Sequence, residues 1–321
     1  MAPYFHCSRV NSTTFLIHEN DKYGEHPFIY VKIYEHPSLI VLSDTGCGGP
    51  DQDRKKREAD SLKDFIETCP IDDNGDKALN PRLPDGTVTK QYLIICTHCH
   101  YDHILGVSPF ESSKATVLSS SYDPSFSQKD FAEHSLCRFL NIPAPEFNVS
   151  TWATDGQKLT YKGLPLDLQI IHTPGHTPDE LAWYDASERH LYVGDSFYQR
   201  VAKDGSYEQA ILFPKEGNWI HYLESLRKLQ RSVESENERE PDKAAVRVGC
   251  GHVTSDASAM GMLVEVESLF NRILAEEVPI VKEESKRGEV YATWKEDGAP
   301  QYSVEAPIRL AQEARKFQSS G

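Results

Sequence analysis

The chain has 321 residues, 39% of them apolar, enough for a sizeable core, and carries 49 Asp+Glu against 34 Lys+Arg for a formal net charge of −15. A nucleic-acid enzyme needs a basic surface to neutralise phosphates, so this balance points to a small-molecule partner and away from nucleic acid. No apolar run approaches a membrane span, Met1-Ala2-Pro3-Tyr4-Phe5-His6 is no secretory apolar region, and seven cysteines without paired spacing do not make a disulfide framework; the expectation is a cytoplasmic protein with no membrane partner and an open oligomeric state.

In chain order, strands are expected at 13–17, 28–34 and 38–43. The last apolar run, Leu39-Ile40-Val41-Leu42, enters Ser43-Asp44-Thr45-Gly46. Residues 51–69 carry many charges, with Leu62, Phe65 and Ile66 at helical spacing. The basic run Arg54-Lys55-Lys56-Arg57 has acidic neighbours and reads as a solvated helix face. Residues 70–90, rich in Asp, Asn, Pro and Gly, read as a surface loop. A strand at 92–96 then leads into Thr97-His98-Cys99-His100-Tyr101-Asp102-His103, four metal-ligating side chains within six residues. In an extended backbone His98 and His100 point to one side, and Asp102 and His103 follow on the turn. Imidazole and carboxylate suit zinc, with iron or manganese as alternatives. Residues 106–150 read either as a flap over the site or as a connection with one helix near 129–140.

Strands are next expected near 167–172, 180–185, 190–194 and 244–249. Three of them run into glycine-flanked residues: His176, Asp195 and His252. Asn218 is placed to cap a helix with Trp219, Tyr222, Leu223, Leu226 and Leu229 on one stripe. Asp256 is expected to cap a second helix reaching about 275, with Met260, Leu263, Val264, Leu269 and Ile273 apolar. The organisation suggests two β-rich halves in a catalytic domain over 1–275. A C-terminal appendix at 276–321 is expected to pack on the same domain, with a strand at 290–294 and a helix near 307–317.

On Asp44, the 98–103 cluster, His176, Asp195 and His252, in that order, the chain resembles the metallo-β-lactamase superfamily over about residues 28 to 275. The resemblance implies an α/β fold, a four-layer αββα sandwich. It implies two metal ions per chain, most simply Zn2+: one on His98, His100 and His176, the other on Asp102, His103 and His252, with Asp195 bridging. Asp44 would order the loops beneath. Aspartate at the Asp195 position sets the chain apart from the lactamases with a cysteine ligand. Tyr198 resembles the tyrosine of metal-dependent lactonases that assists at the substrate carbonyl; the alternative is a packed loop aromatic. The chain also resembles fungal members that open γ-lactam or benzoxazolinone rings. The expected activity is dinuclear metal-dependent hydrolysis of a small cyclic amide, carbamate or ester, with Asp102 and Tyr198 as catalytic groups. The alternatives are a glyoxalase II-like thiolesterase and, against the charge, a metal-dependent nuclease.

Overall fold

A computed structural model describes residues 4–50 and 59–320 of the chain. The basic run at 54–57 lies outside the described residues. The chain divides into two compact units, Met1–Leu168 and Gln169–Gly321.

In the first unit, β1 (Phe5–Arg9), β2 (Thr14–Glu19), β3 (Phe28–Tyr34), β4 (Leu39–Ser43), β5 (Gln91–Ile95), β6 (Thr116–Ser120) and β7 (Thr151–Ala153) form one sheet in sequence order. β1 to β4 are antiparallel and β4 to β7 are parallel. Strands covered on both faces lose the polar–apolar alternation, and all five residues of β4 are buried. Helix α1 (Leu62–Thr68) sits within the expected 51–69 stretch. Its N-cap Ser61 accepts from the Asp64 amide, and it buries Leu62, Phe65 and Ile66. The change from antiparallel to parallel pairing matters for function. It brings the C-terminal ends of β4 and β5 side by side, Ser43 opposite Ile95, so that the loops after them meet.

The boundary falls inside β9 (Leu164–His172), which follows β8 (Lys158–Tyr161). The second unit continues with β10 (Leu181–Asp185), β11 (His190–Tyr192), β12 (Ile211–Leu212), α4 (Trp219–Arg239), β13 (Arg247–Gly249), β14 (Ala257–Ser258) and α5 (Ala259–Leu274). The second sheet has the order β14-β13-β11-β10-β9-β8. β11 and β13 pair in parallel, Tyr192 opposite Gly249. Asp195 and His252 each lie three residues past those partners, so register alone delivers them to one end of the sheet.

Helix α4 is capped as expected: Asn218 accepts from the Ile220 and His221 amides. The cap of α5 is a correction. Ser258, not Asp256, accepts from Gly261 N, while Asp256 is drawn off by Arg247 at 2.7 Å. Val264 is also corrected, being 51% exposed although it fits the apolar stripe. The expected helix at 129–140 is only the single turn α3 (Phe131–His134) and a 3-10 turn, Cys137–Leu140.

Residues 276–321 hold more strand than expected. β15 (Ile280–Lys286), β16 (Glu289–Trp294) and β17 (Val304–Pro307) join β12 in a third sheet, followed by α6 (Ile308–Ser320). Trp294, Val304, Ala306 and Leu310 belong to the same core as Trp219, Leu226 and Phe270. No helix among the described residues is long and apolar enough to cross a membrane.

Candidate metal centre

The 98–103 cluster begins where β5 ends. Thr97 is tied to the neighbouring strand end: its amide and hydroxyl donate to Asp44 Oδ1 and Oδ2 at 2.7 and 2.8 Å. His98 Nδ1 lies 3.1 Å from that hydroxyl oxygen. The threonine proton is spent on Asp44, so His98 Nδ1 carries the ring proton and donates to the oxygen. Nε2 is left as a lone-pair nitrogen. It lies 3.0 Å from His100 Nδ1, as two imidazoles aimed at one cation would.

The one-turn helix α2 (Tyr101–Ile104) then reverses the chain and puts Asp102 and His103 beside the pair. Asp44 Oδ2 lies 2.9 Å from His103 Nδ1. A carboxylate only accepts, so Nδ1 is protonated and Nε2 is left with its lone pair, 3.4 Å from Asp102 Oδ2. Such outer partners fix both tautomer and ring orientation. Asp44 adopts φ +64°, which Asp tolerates better than most residues. Thr45 clasps the same loop, its amide and hydroxyl donating to His103 O at 2.7 and 3.0 Å. Gly106 packs on it so closely that a Cβ would stand 2.1 Å from Thr45 O.

In the second unit, His176 Nδ1 lies 2.8 Å from Leu212 O and so donates, freeing Nε2. Asp195 turns one oxygen to each histidine: Oδ1 is 3.3 Å from His252 Nε2 and Oδ2 is 4.0 Å from His176 Nε2. Helix α4 holds both loops. Tyr222 Oη donates to Ser196 O at 2.6 Å, and Ser225 Oγ to Pro174 O at 2.8 Å. A Cβ on Gly175 would stand 2.5 Å from Tyr222 Cα. The loop after β13 is braced by Gly251 N donating to Gly194 O at 2.6 Å.

Tyr198 departs from its expected place at the substrate carbonyl. Its hydroxyl donates to Ala210 O at 2.8 Å and takes a 3.3 Å bond from Leu212 N. One hydroxyl has one proton, and here it goes to the backbone. The ring meets His252 edge-on with centroids 5.4 Å apart. Tyr198 therefore anchors the strand whose Leu212 carbonyl orients His176, a link that leaves no sequence motif.

All seven expected ligands are buried. The ligand atoms of His98, His100, His176 and Asp195 lie within 4.8 Å of one another, and so do those of Asp102, His103, Asp195 and His252. Asp195 belongs to both groups. Burying so many ionisable groups at close quarters is costly without a compensating charge. Histidine nitrogens with lone pairs and carboxylate oxygens suit a divalent cation in each group.

Comparison with known proteins agrees. The family model of the metallo-beta-lactamase superfamily matches residues 34–252. The chain belongs to that superfamily. It has the metallo-β-lactamase α/β fold, and it is a hydrolase of this class by its family and its His/Asp metal-binding groups.

Among relatives, avaE of Aspergillus versicolor, which carries a provisional transcription-factor name, is 30% identical over 287 residues, 88% of this chain and 80% of that protein. A hydroxyacylglutathione hydrolase of Psychromonas ingrahamii is 30% identical over 145 residues. That match covers 44% of this chain and about half, 48%, of the relative. Solved structures agree in fold. A metallo-beta-lactamase from Pontibacter korlensis has TM-score 0.51 at 14% identity, covering 83% of this chain and 98% of that one. An archaeal superfamily protein from Sulfolobus tokodaii has TM-score 0.50 at 18% identity, covering 90% and 93%.

Proposed function

We propose that this chain opens a small cyclic amide, carbamate or ester, a lactam or lactone, by hydrolysis with two metal ions bound. The observation that carries this reading is the pair of four-residue donor groups sharing Asp195. His98, His100 and His176 would hold one ion, and Asp102, His103 and His252 the other. Two divalent ions, zinc first and iron or manganese as alternatives, would supply a water acidified to near neutral pH and a Lewis acid for the carbonyl.

The remaining work falls to the protein's own groups. Asp195 turns one oxygen toward His176 and the other toward His252. Asp102 borders the same space and can orient the attacking water and accept its proton. The protonated Nδ1 atoms of His98, His103 and His176 stay fixed on their oxygen partners, so the facing nitrogens remain available throughout.

A thioester reading is favoured by the hydroxyacylglutathione hydrolase relatives, whose matches include one over 44% of the chain. The transcription-factor name of the A. versicolor relative is not adopted, because a net charge of −15 opposes phosphate contacts. We propose a small-molecule substrate and no nucleic-acid partner. The test is to measure metal content of the purified protein and assay lactams, lactones, cyclic carbamates, thioesters and phosphodiesters side by side. Turnover confined to thioesters, or one ion per fully active chain, would overturn the reading.

A further inference from the structure

Helix α2 is a single turn, and the side chain of its N-cap residue, His100, makes no capping bond. One turn fixes several backbone dihedrals for very few hydrogen bonds, so it does not hold itself together in water. Yet this turn carries Asp102 and His103. Tertiary contacts must hold it. At His103 they come from Asp44 and Thr45. At the other end they come from Tyr101, which stands between His100 and Asp102 in the sequence.

Tyr101 is 3% exposed and is gripped by two stretches of chain, one before the cluster and one after it. The first is the connection between β2 and β3, residues 20–27. Its Asp21 carboxylate accepts from the Tyr23 and His26 amides, both at 2.7 Å, which folds the connection back on itself. It presents Tyr23 edge-on to the Tyr101 ring, with centroids 5.4 Å apart at 78°. It also presents Glu25, whose carboxylate accepts from the Tyr101 hydroxyl. The second stretch follows α3. Ser135 O accepts from the Tyr101 amide at 2.9 Å, and Leu136 and Cys137 pack with Tyr101 and Cys47 in a small core apart from the main core of the unit.

An edge-to-face ring pair and a bond to a carboxylate are both directional. With the amide bond they fix the orientation of the first residue of the turn. Asp102 is the next residue on that turn, so its carboxylate follows Tyr101. We propose that Tyr101 is a positioning residue for Asp102, pinned by Glu25, Tyr23 and Ser135 so that the Asp102 carboxylate stays beside His103. The separation held in this way is 3.4 Å, from Asp102 Oδ2 to His103 Nε2. This role rests on the reading that Asp102, His103 and His252 hold one of two ions. It places control of that ion in Tyr23 and Glu25, which lie outside both donor groups.

The test is Zn2+ affinity, read for each ion by competition with a chromophoric chelator, with thermal melts alongside. Tyr101→Phe keeps the ring and removes the hydroxyl. Glu25→Ala removes the acceptor from a half-buried position on the connection. Each should weaken one ion about fivefold, the worth of one lost hydrogen bond, and leave the other within about twofold. The double variant should lose no more than either single variant, because both cut the same bond. Tyr101→Ala removes the ring contacts as well and should weaken that ion about 10- to 100-fold; if it does not fold, the two milder variants and their cycle decide.

Wild-type affinity for both ions in Tyr101→Phe and Glu25→Ala would overturn the positioning role and leave the two-ion reading standing. Equal weakening of both ions would also overturn it, marking a general loss of structure. A wild type that takes up a single ion overturns both. Ring opening is judged separately, since no substrate enters the measurement.

Discussion

The His/Asp cluster at 98–103 and the trio His176, Asp195 and His252 reach comparable geometry by different means. The first set is contiguous. It is held by side chains at the end of one adjacent strand, with Asp44 serving Thr97 and His103 together. The second set is dispersed. It is held by backbone carbonyls, by strand register and by helix α4. A contiguous cluster depends on a few nearby hydrogen bonds and fails when one carboxylate is lost. A dispersed set depends on the packing of a whole unit, and its weak points lie far from the metals in sequence.

The sharpest break of this comparison is Asp195→Ala, which removes the one residue common to both groups. Outer partners of metal ligands are worth about 10- to 100-fold, so loss of the shared ligand should lower activity by more than about 100-fold and deplete metal. Metal analysis beside kinetics checks this; wild-type metal content with full activity would refute the shared role.

Next comes Asp44→Asn, which keeps the shape but turns an acceptor into a mixed donor. Metal affinity should fall by about 10- to 100-fold, read by competition with a chelator. An unchanged affinity would mean that Thr45 and the backbone suffice to hold His103.

Tyr198→Phe should weaken metal affinity by only a few fold, because its effect passes through β12 and Leu212 to His176. A kcat loss of about 100-fold with metal retained would instead restore the hydroxyl to the substrate carbonyl.

The smallest effects are in pH dependence, and they have opposite signs in the two units. Burial pushes the Glu19 carboxyl up from 4.5 to about 7, despite the Cys47 and Gly49 amides and the Tyr4 hydroxyl donating to it. Between those values the folded chain holds the extra proton, so this group's contribution falls as pH rises. Burial pushes His190 down from 6.5 to about 4. Between those values the unfolded chain holds the extra proton, so stability rises with pH. Each slope is at most about 1.4 kcal/mol per pH unit. In thermal melts across this range the two slopes offset each other in the wild type, so Glu19→Gln should make stability rise with pH and His190→Gln should make it fall. Parallel wild-type profiles in both variants would discard the assignments.

The seven residues of the two donor groups were legible because strand ends next to glycine, and a His-x-His-x-Asp-His run after an apolar strand, leave a dense local signal. Strands built on apolar runs, such as 39–42 and 92–96, were legible, whereas β1, β6 and the largely exposed β15 were not. The short strands β7, β12 and β14 were not. Two or three residues carry no period, and partners far away in sequence define them. The α5 cap was misplaced because Asp256 and Ser258 are equally good acceptors on paper, and an arginine on the neighbouring strand, Arg247, decides between them. Tyr198 was legible as important but not for its reason. Its neighbours Ala210 and Leu212 act through backbone atoms, which every residue possesses.

Gly106 follows His103 by three residues and Gly175 precedes His176, and each lies flush against a neighbouring stretch of backbone. A single methyl at either position collides with Thr45 or Tyr222 main-chain atoms at 2.1 and 2.5 Å, and main chain yields less readily than a side-chain tip. In a library sampling every amino acid at every position, these two should tolerate nothing but glycine, as strictly as the histidines themselves. Surviving lineages would then change ring pockets and surfaces freely while carrying two silent glycines as fixed hinges of ancestry.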